Sequence, residues 1–270
     1  MKKIMLLILA LCLCFSAVSA AFAETAAEEA PAAEKTVAEM TAEELRQAGL
    51  DAFNAEDYGK AMEYYQLATD AGQADAAGNV AYLYAMGLGV EQDYGKALEY
   101  YLKAADLGNT WVMYNIGLMY TVGLGTEQDY GKAFEYYQKG ADLGDAKSTN
   151  NLATLYEEGL GVEQDYGRAM KYYQQAVDLG SAFAYIGVGD LYRGGKGVGQ
   201  DYAKAVEYYT LAAEQGVPVA MFYLGECSYL GQGMEKDLDK AAEWYRKALE
   251  AGYEPGEEEQ AHLKAVLGDE

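Results

Sequence analysis

The sequence predicts an all-α fold, a right-handed α-solenoid of stacked antiparallel helix pairs. The first observation behind this prediction is a five-residue anchor that returns every 36 residues, beginning at positions 57, 93, 129, 165, 201 and 237. The second is a glycine pair ahead of each anchor from the second copy onward, and the third is a set of tyrosines in fixed phase with the anchors. A unit of this length cannot bury its own apolar face, so neighbouring copies must stack. The resulting extended surface favours binding over catalysis.

The N-terminus has the pattern of an export signal. Lysines precede an apolar run from Ile4 to Phe15, and small residues end at Ala23. This run is too short to cross a bilayer, which takes about 20 residues. We therefore predict a cleaved signal peptide over residues 1–23, no membrane anchor after cleavage, and an exported protein that is periplasmic or extracellular. Cleavage after Ala20 and an uncleaved anchor are the alternatives.

Composition limits the kinds of partner. The formal net charge is −23, and a polyanion repels nucleic-acid phosphates, which excludes nucleic acid and favours a protein or peptide with a basic or apolar surface. Residues 24–40 are rich in alanine and glutamate, which predicts a disordered linker. Beyond the signal, Cys227 is the only cysteine. Its register with apolar residues in other copies predicts a buried thiol that forms no disulfide.

Capping signals predict where the helices begin and end. Thr41 and Glu44 have the spacing of a capping box, so the first helix begins there. In the next copy, a helix from about Ala76 to Met86 ends at the glycine pair. Asp93 then caps the following helix, which closes at Gly108.

Two further sets of in-phase residues predict how the helices pack. Small residues in the middle of the first helices allow the paired helix to come close, and they are Ala81, Gly117, Ala153, Gly189 and Gly225. Aromatic pairs in the second helices predict a core between helices, and they are Tyr64-Tyr65, Tyr100-Tyr101, Tyr136-Tyr137, Tyr172-Tyr173, Tyr208-Tyr209 and Trp244-Tyr245.

One run of residues, clearest in the third copy, carries a family resemblance. It reads Val112-x3-Ile116-Gly117-x2-Tyr120-x2-Gly123-Leu124-Gly125-Thr126-x2-Asp129-x2-Lys132-Ala133-x2-Tyr136-Tyr137-x2-Gly140-Ala141-x2-Gly144. This run resembles the Sel1-like repeat family, which is related to tetratricopeptide repeats, in its exported bacterial type. Five such copies cover residues 73–252. Residues 41–72 have the shorter spacing of a tetratricopeptide-type N-terminal repeat, and polar residues 253–270 predict a C-terminal capping helix.

The chain offers no constellation of residues for catalysis. Its single histidine, His262, lies in the predicted C-terminal cap, and no triad, metal cluster or phosphate loop can be assembled. We therefore predict a protein that is not an enzyme, with no catalytic residues, no cofactor and no metal.

Candidate binding residues come from the resemblance to tetratricopeptide proteins, which bind ligands on a concave face through first-helix positions one turn apart. In this sequence such positions fall on one face of each first helix. Large side chains there suit a partner's anchor residues. The predicted partner-binding residues are Tyr82, Trp111, Tyr114, Leu118, Phe183, Ile186, Arg193, Phe222 and Tyr229. The alternative is that superhelical curvature buries these side chains against each other.

The resemblance implies an adaptor role. The leading hypothesis is an exported, non-enzymatic scaffold that binds a peptide or protein on its concave face. One alternative is binding or hydrolysis of β-lactams or cell-wall amides, as in cysteine-rich relatives, although those carry a cysteine pair in each repeat that this chain lacks. The other alternative is a structural homo-oligomer formed by self-association.

Overall fold

A computed structural model describes residues 36–268, and all its regular elements are helices. The predicted signal peptide and the linker through residue 35 lie outside the described residues. Residues 36–40, which the sequence assigned to the disordered linker, contain a 3₁₀ turn at Val37–Glu39. The helices are α1 (Ala42–Asn54), α2 (Tyr58–Asp70), α3 (Ala74–Met86), α4 (Tyr94–Asp106), α5 (Met113–Val122), α6 (Tyr130–Asp142), α7 (Ala146–Glu158), α8 (Tyr166–Asp178), α9 (Ala182–Gly194), α10 (Tyr202–Glu214), α11 (Pro218–Leu230), α12 (Leu238–Glu250) and α13 (Glu257–Leu267).

The helices form two compact units that divide after Asp129. In the first unit, α1 packs on α2 and α3 packs on α4, with α2 against α3. In the second unit, the pairs α7 with α8, α9 with α10 and α11 with α12 follow α6, and each pair packs on the next. Helix α13 packs on α12 at the end of the chain. The predicted all-α fold of stacked helix pairs is therefore confirmed within each unit.

Aspartates start most of the second helices, as the sequence predicts. The Asp93 side chain accepts a hydrogen bond of 2.9 Å from the backbone N–H of Lys96, and Asp57, Asp165, Asp201 and Asp237 make the same contact in their own copies. The carboxylate satisfies a free amide and faces the positive end of the helix dipole. The repeated aspartate is therefore explained by helix capping.

First helices begin with less uniform caps. Helix α3 begins at Ala74, two residues earlier than expected, because the Gln73 side chain accepts the backbone N–H of Asp75 at 2.7 Å. Helix α5 begins only at Met113, after a turn that includes Trp111. Trp111 therefore precedes the helix on which the sequence placed it.

The glycine pairs end the first helices and bring neighbouring repeats together. Gly159 takes the left-handed conformation with φ of 69° at the end of α7. Gly161 also has positive φ, at 70°, and a Cβ there would overlap the backbone carbonyl of Tyr130 on α6. Only glycine allows this loop to lie against the start of the preceding second helix.

The in-phase tyrosines form the centre of the helix packing. Tyr65, Tyr101, Tyr137, Tyr209 and Tyr245 are among the largest fully buried side chains. A Cβ on Gly189 would stand 2.6 Å from the Tyr209 ring, so the small mid-helix residue permits the close approach predicted for it. Cys227 is buried and free, and burial raises the pKa of its thiol to about 11. The predicted close approach at Gly189 is confirmed, whereas in each aromatic pair only the second residue is buried and the first is half-buried.

Candidate functional site

In the first unit, part of the predicted binding face is covered. Tyr82 is buried, with its ring 6.1 Å from that of Phe53, and Leu118 is also buried. Trp111 is 42% exposed, but its ring lies across Gly78, where a Cβ would overlap it. Tyr114 is half-buried. In this conformation, Trp111 and Tyr114 are the predicted residues of this unit that reach the surface.

At the C-terminal end of the second unit, the chain covers two other predicted residues. Phe222 is only 2% exposed because the Tyr253 ring stacks on it at 4.7 Å. Tyr229 lies 5.2 Å from the ring of His262, which α13 supplies. The side chain of His262 also lies 2.8 Å from Glu226. The last helix therefore occupies the face on which the sequence placed binding residues.

The remaining predicted residues come together on the first helices in the middle of the second unit. Phe183 is 61% exposed, far more than Phe222, and Ile186 and Arg193 follow on the same helix, both half-buried. Phe183 and Ile186 border a cavity of about 250 Å³ between α7, α8, α9 and α11, and Arg193 lies beside it through its contact with Asp190. The cavity is lined by Asn150, Thr154, Tyr173, Phe183, Ile186, Gly187, Asp190, Val219 and Tyr223. We call it the α9 pocket.

A second cavity, of about 410 Å³, lies in the first unit. It is lined by Ala42, Glu43, Ala71, Gly72, Gln73, Ala74 and Asp75. These residues are small or polar and give a partner's apolar side chain little to pack against. The α9 pocket is therefore the better candidate for a binding site.

A tyrosine hydroxyl bound to a carboxylate lies on one side of the α9 pocket. The Tyr173 hydroxyl donates to Glu157 Oε2 at 2.9 Å and lies 3.1 Å from Thr154 Oγ1. Lys196 Nζ pairs with the other carboxylate oxygen of Glu157 at 2.9 Å. The buried charge of Glu157 is thus compensated, and the Tyr173 ring is held in one position.

Asp190 forms a second such group at the pocket. Its Oδ1 accepts the Tyr209 hydroxyl at 2.6 Å and lies 3.0 Å from Arg193 Nη2. The guanidinium of Arg193 rests over the Tyr223 ring at 4.9 Å. Burial raises the pKa of Asp190 above its ordinary value, against the opposing effects of the Tyr209 hydrogen bond and the Arg193 charge. The carboxylate is therefore incompletely compensated.

The pocket exists because one repeat departs from its neighbours. Gly187 occupies the position held by Asn79, Asn115 and Asn151 in earlier copies and by Tyr223 in the next. A Cβ at Gly187 would overlap the ring of Tyr173. Gly187, Tyr173 and Tyr223 were not among the predicted binding residues, because residue type alone marks glycine as a small packing residue and tyrosine as a core residue. A comparison of the residues at this position across the copies would have identified Gly187 as the exception.

Other kinds of site are absent from the part of the chain that the structure describes. Between residues 36 and 268, no group of three or more His, Cys, Asp or Glu side chains is arranged to hold a metal ion. None of the helices in this range has both the length and the apolar character needed to span a membrane.

Antiparallel helix pairs that stack on one another and recur along the chain define the class of helical repeat proteins. Within this class, the model of the Sel1 repeat matches residues 45–73, 74–109, 112–145, 146–181, 182–217 and 218–253. The chain belongs to the Sel1 repeat family, and proteins of this family generally mediate protein–protein interaction. The family model also covers residues 45–73, which overlap the segment 41–72 predicted as a tetratricopeptide-type repeat. The helix pair is retained there despite its shorter connection.

Solved structures show the same fold. A Sel1 repeat protein from Oxalobacter formigenes is 30% identical with a TM-score of 0.71, over 82% of this chain and 96% of that one. The protein c5321, a protective antigen of uropathogenic Escherichia coli, is also 30% identical with a TM-score of 0.71 over 83% of this chain, which spans 49% of its length. The immunity protein Pa5087 of Pseudomonas aeruginosa is 25% identical with a TM-score of 0.50, over 78% of this chain and 81% of that one. No curated protein matches the chain.

Proposed function

We propose that this protein is an exported, non-enzymatic interaction scaffold that binds a segment of a partner protein along α7, α9 and α11. The exposure of Phe183 beside a cavity carries the proposal. Aromatic side chains are enriched in protein interfaces, where they become buried against the partner. Repeat stacking does not require it, because the buried tyrosines already fill the core.

The surface around Phe183 suits a protein segment better than a small molecule. The pocket volume of about 250 Å³ is below the range of about 300–1,000 Å³ that is usual for ligand pockets. Ile186, Val219 and Tyr223 extend an apolar wall from it along two helices. A chain segment can place one side chain in the pocket and others along the wall, which is how repeat proteins use their first-helix face.

Peptide selection tests this function. The chain without residues 1–23 is used to select peptides from a random phage-displayed library, and dissociation constants of the enriched peptides are measured by fluorescence anisotropy. We expect a Phe183→Ala/Val219→Ala double variant to bind at least about tenfold more weakly, because anchor residues each contribute more than about 1 kcal/mol. A Leu143→Ala/Leu179→Ala double variant is the matched control, since both leucines are exposed in the same unit and do not line the pocket.

Two results would reject the proposal. One is that selection enriches no peptide beyond a selection without the protein. The other is that enriched peptides bind the Phe183→Ala/Val219→Ala variant as tightly as the wild type while its thermal unfolding is unchanged.

Export is the second part of the proposal, and the apolar run from Ile4 to Phe15 supports it. When the whole chain is expressed in a bacterial host, we expect the protein to be recovered outside the cytoplasm with Glu24 as its first residue. Intact mass and N-terminal sequencing measure this. Full-length protein that stays with the cytoplasmic fraction would contradict export and leave the binding proposal unaffected.

A further inference from the structure

The α9 pocket has the size of a single long side chain. Its volume is about 250 Å³, and it opens where Gly187 leaves the space that asparagine or tyrosine takes in other copies. The Tyr173 ring lies against Gly187 and forms part of the cavity wall. A partner must therefore insert one side chain rather than a larger group.

The pocket is apolar along its walls. Phe183, Ile186, Val219 and Tyr223 contribute carbon surface, and Phe183 leaves most of its own surface in water. The occupant therefore has an apolar stem.

The same pocket also contains hydrogen-bond acceptors without a donor. Asn150 Oδ1 is buried and accepts no hydrogen bond in the part of the chain that the structure describes. Both contacts made by Asp190, from Tyr209 and from Arg193, use its Oδ1. Its Oδ2 therefore keeps its capacity to accept a hydrogen bond. The buried Asn150 oxygen is expected to find a donor, because it is otherwise desolvated without compensation, whereas the Asp190 side chain is 27% exposed and can be reached from the pocket.

Charge decides which donor fits. Glu157 pairs with Lys196 and Asp190 pairs with Arg193, so these four side chains beside the pocket carry no net charge. The chain as a whole has a formal net charge of −23, which attracts cations over distance. A cationic head reaching Asp190 Oδ2 would also make a charge-assisted hydrogen bond, about twice as strong as a neutral one.

We propose that the α9 pocket binds one lysine or arginine side chain of an extended partner segment, with its stem along Phe183 and Ile186 and its cationic head at Asp190 and Asn150. This inference rests on the proposed function and adds the chemical class of the anchor. Lysine and arginine combine an apolar stem with a charged tip, which matches walls and acceptors of these kinds.

The test uses a peptide series that changes only the anchor. Peptides Ac-Ala-Ser-Ala-Xaa-Ala-Ser-Ala-NH2, with lysine, arginine, norleucine or glutamate at Xaa, are titrated at up to millimolar concentration into the chain without residues 1–23. The NMR signals of the Asn150 side-chain amide and the Ile186 methyl groups report binding. We expect the lysine or arginine peptide to bind about tenfold more tightly than norleucine, which keeps the stem and loses the charge, and we expect glutamate not to bind.

Two variants assign the preference to Asp190. Asp190→Asn keeps an oxygen that can accept the Tyr209 hydroxyl, and we expect it to bring the lysine and norleucine peptides to within about twofold of each other. Asp178→Asn removes the same charge from an exposed position of α8, and we expect it to leave the preference unchanged. Thermal unfolding of each variant establishes that it is folded.

Each other outcome overturns the cationic anchor. Equal binding of norleucine and lysine would make the occupant an apolar side chain. An equal loss of preference in Asp178→Asn would reduce the effect to overall charge. No change in the signals of Asn150 and Ile186 with any peptide would remove the pocket as a basic site, while the proposed function is judged separately by the peptides selected from the library.

Discussion

The substitution Gly187→Ala tests the geometry on which the α9 pocket depends. A Cβ at this position would overlap the ring of Tyr173, whose hydroxyl donates to Glu157 at 2.9 Å. The ring must move away, and the hydrogen bond to the buried carboxylate is then lost. The substitution adds a single methyl group, but its effect extends to the polar groups beside the pocket.

The expected loss of stability follows from three contributions. Alanine in place of glycine in the middle of a helix is favourable by about 1 kcal/mol. Overpacking costs about 1–3 kcal/mol, and loss of a hydrogen bond to a charged acceptor costs about 1.5–3 kcal/mol. Together these contributions lower the expected free energy of unfolding of Gly187→Ala by about 1.5–5 kcal/mol.

Urea unfolding followed by circular dichroism measures this change, with coincidence of the dichroism and tyrosine fluorescence transitions as the check on two-state behaviour. Gly199→Ala is the matched control, because a Cβ there has no atom within 4 Å and φ is not positive. We expect the control to be neutral or stabilised by up to about 1 kcal/mol. Four other copies carry glutamate at the equivalent position, which shows that a side chain fits there.

A double-mutant cycle separates the hydrogen bond from the overpacking. In a Tyr173→Phe background the bond to Glu157 is already absent, so Gly187→Ala should cost about 1.5–3 kcal/mol less than in the wild type. If Gly187→Ala proves as stable as the wild type, Tyr173 does not lie against Gly187 and the reasoning about the pocket is wrong. If the cost is the same in both backgrounds, the hydroxyl contributes nothing to it.

Three further predictions concern ionisation, repeat contacts and the terminal helix. Because the pKa of Asp190 is raised in the folded state, ionisation of Asp190 opposes folding, and the wild type should lose stability relative to Asp190→Asn as pH rises above about 4. Urea unfolding of both proteins over a pH series measures this difference in stability. A difference that stays constant with pH would contradict the prediction. Gly161→Ala should lose about 2–5 kcal/mol, because alanine is strained at positive φ and its Cβ would overlap Tyr130. Gly180→Ala also has positive φ but has no atom near a Cβ, so it should lose only about 1–2 kcal/mol. Equal losses in urea unfolding would show that the loop contact is unimportant. His262→Ala should weaken the attachment of α13, since the His262 ring contacts Glu226 and Tyr229 on α11. We expect faster proteolysis within α13 without a change in the midpoint of the main unfolding transition. Unchanged proteolysis would show that other contacts hold this helix.

The repeat spacing, the aspartate caps, the glycine loops and the buried tyrosines all followed from the sequence, because each depends on local geometry that recurs with the 36-residue period. Asp93 caps its helix and Gly159 ends one wherever the rest of the chain lies. Family membership followed from the same recurrence.

Exposure of the first-helix residues was decided only by tertiary packing. Phe183 and Phe222 are both aromatic residues on the predicted binding face, yet they are 61% and 2% exposed. The difference arises because the segment ending in α13 covers Phe222 with Tyr253, whereas Phe183 borders an open cavity. The type of a side chain determines what it can bind, but only the neighbours that pack on it determine whether water or a partner can reach it.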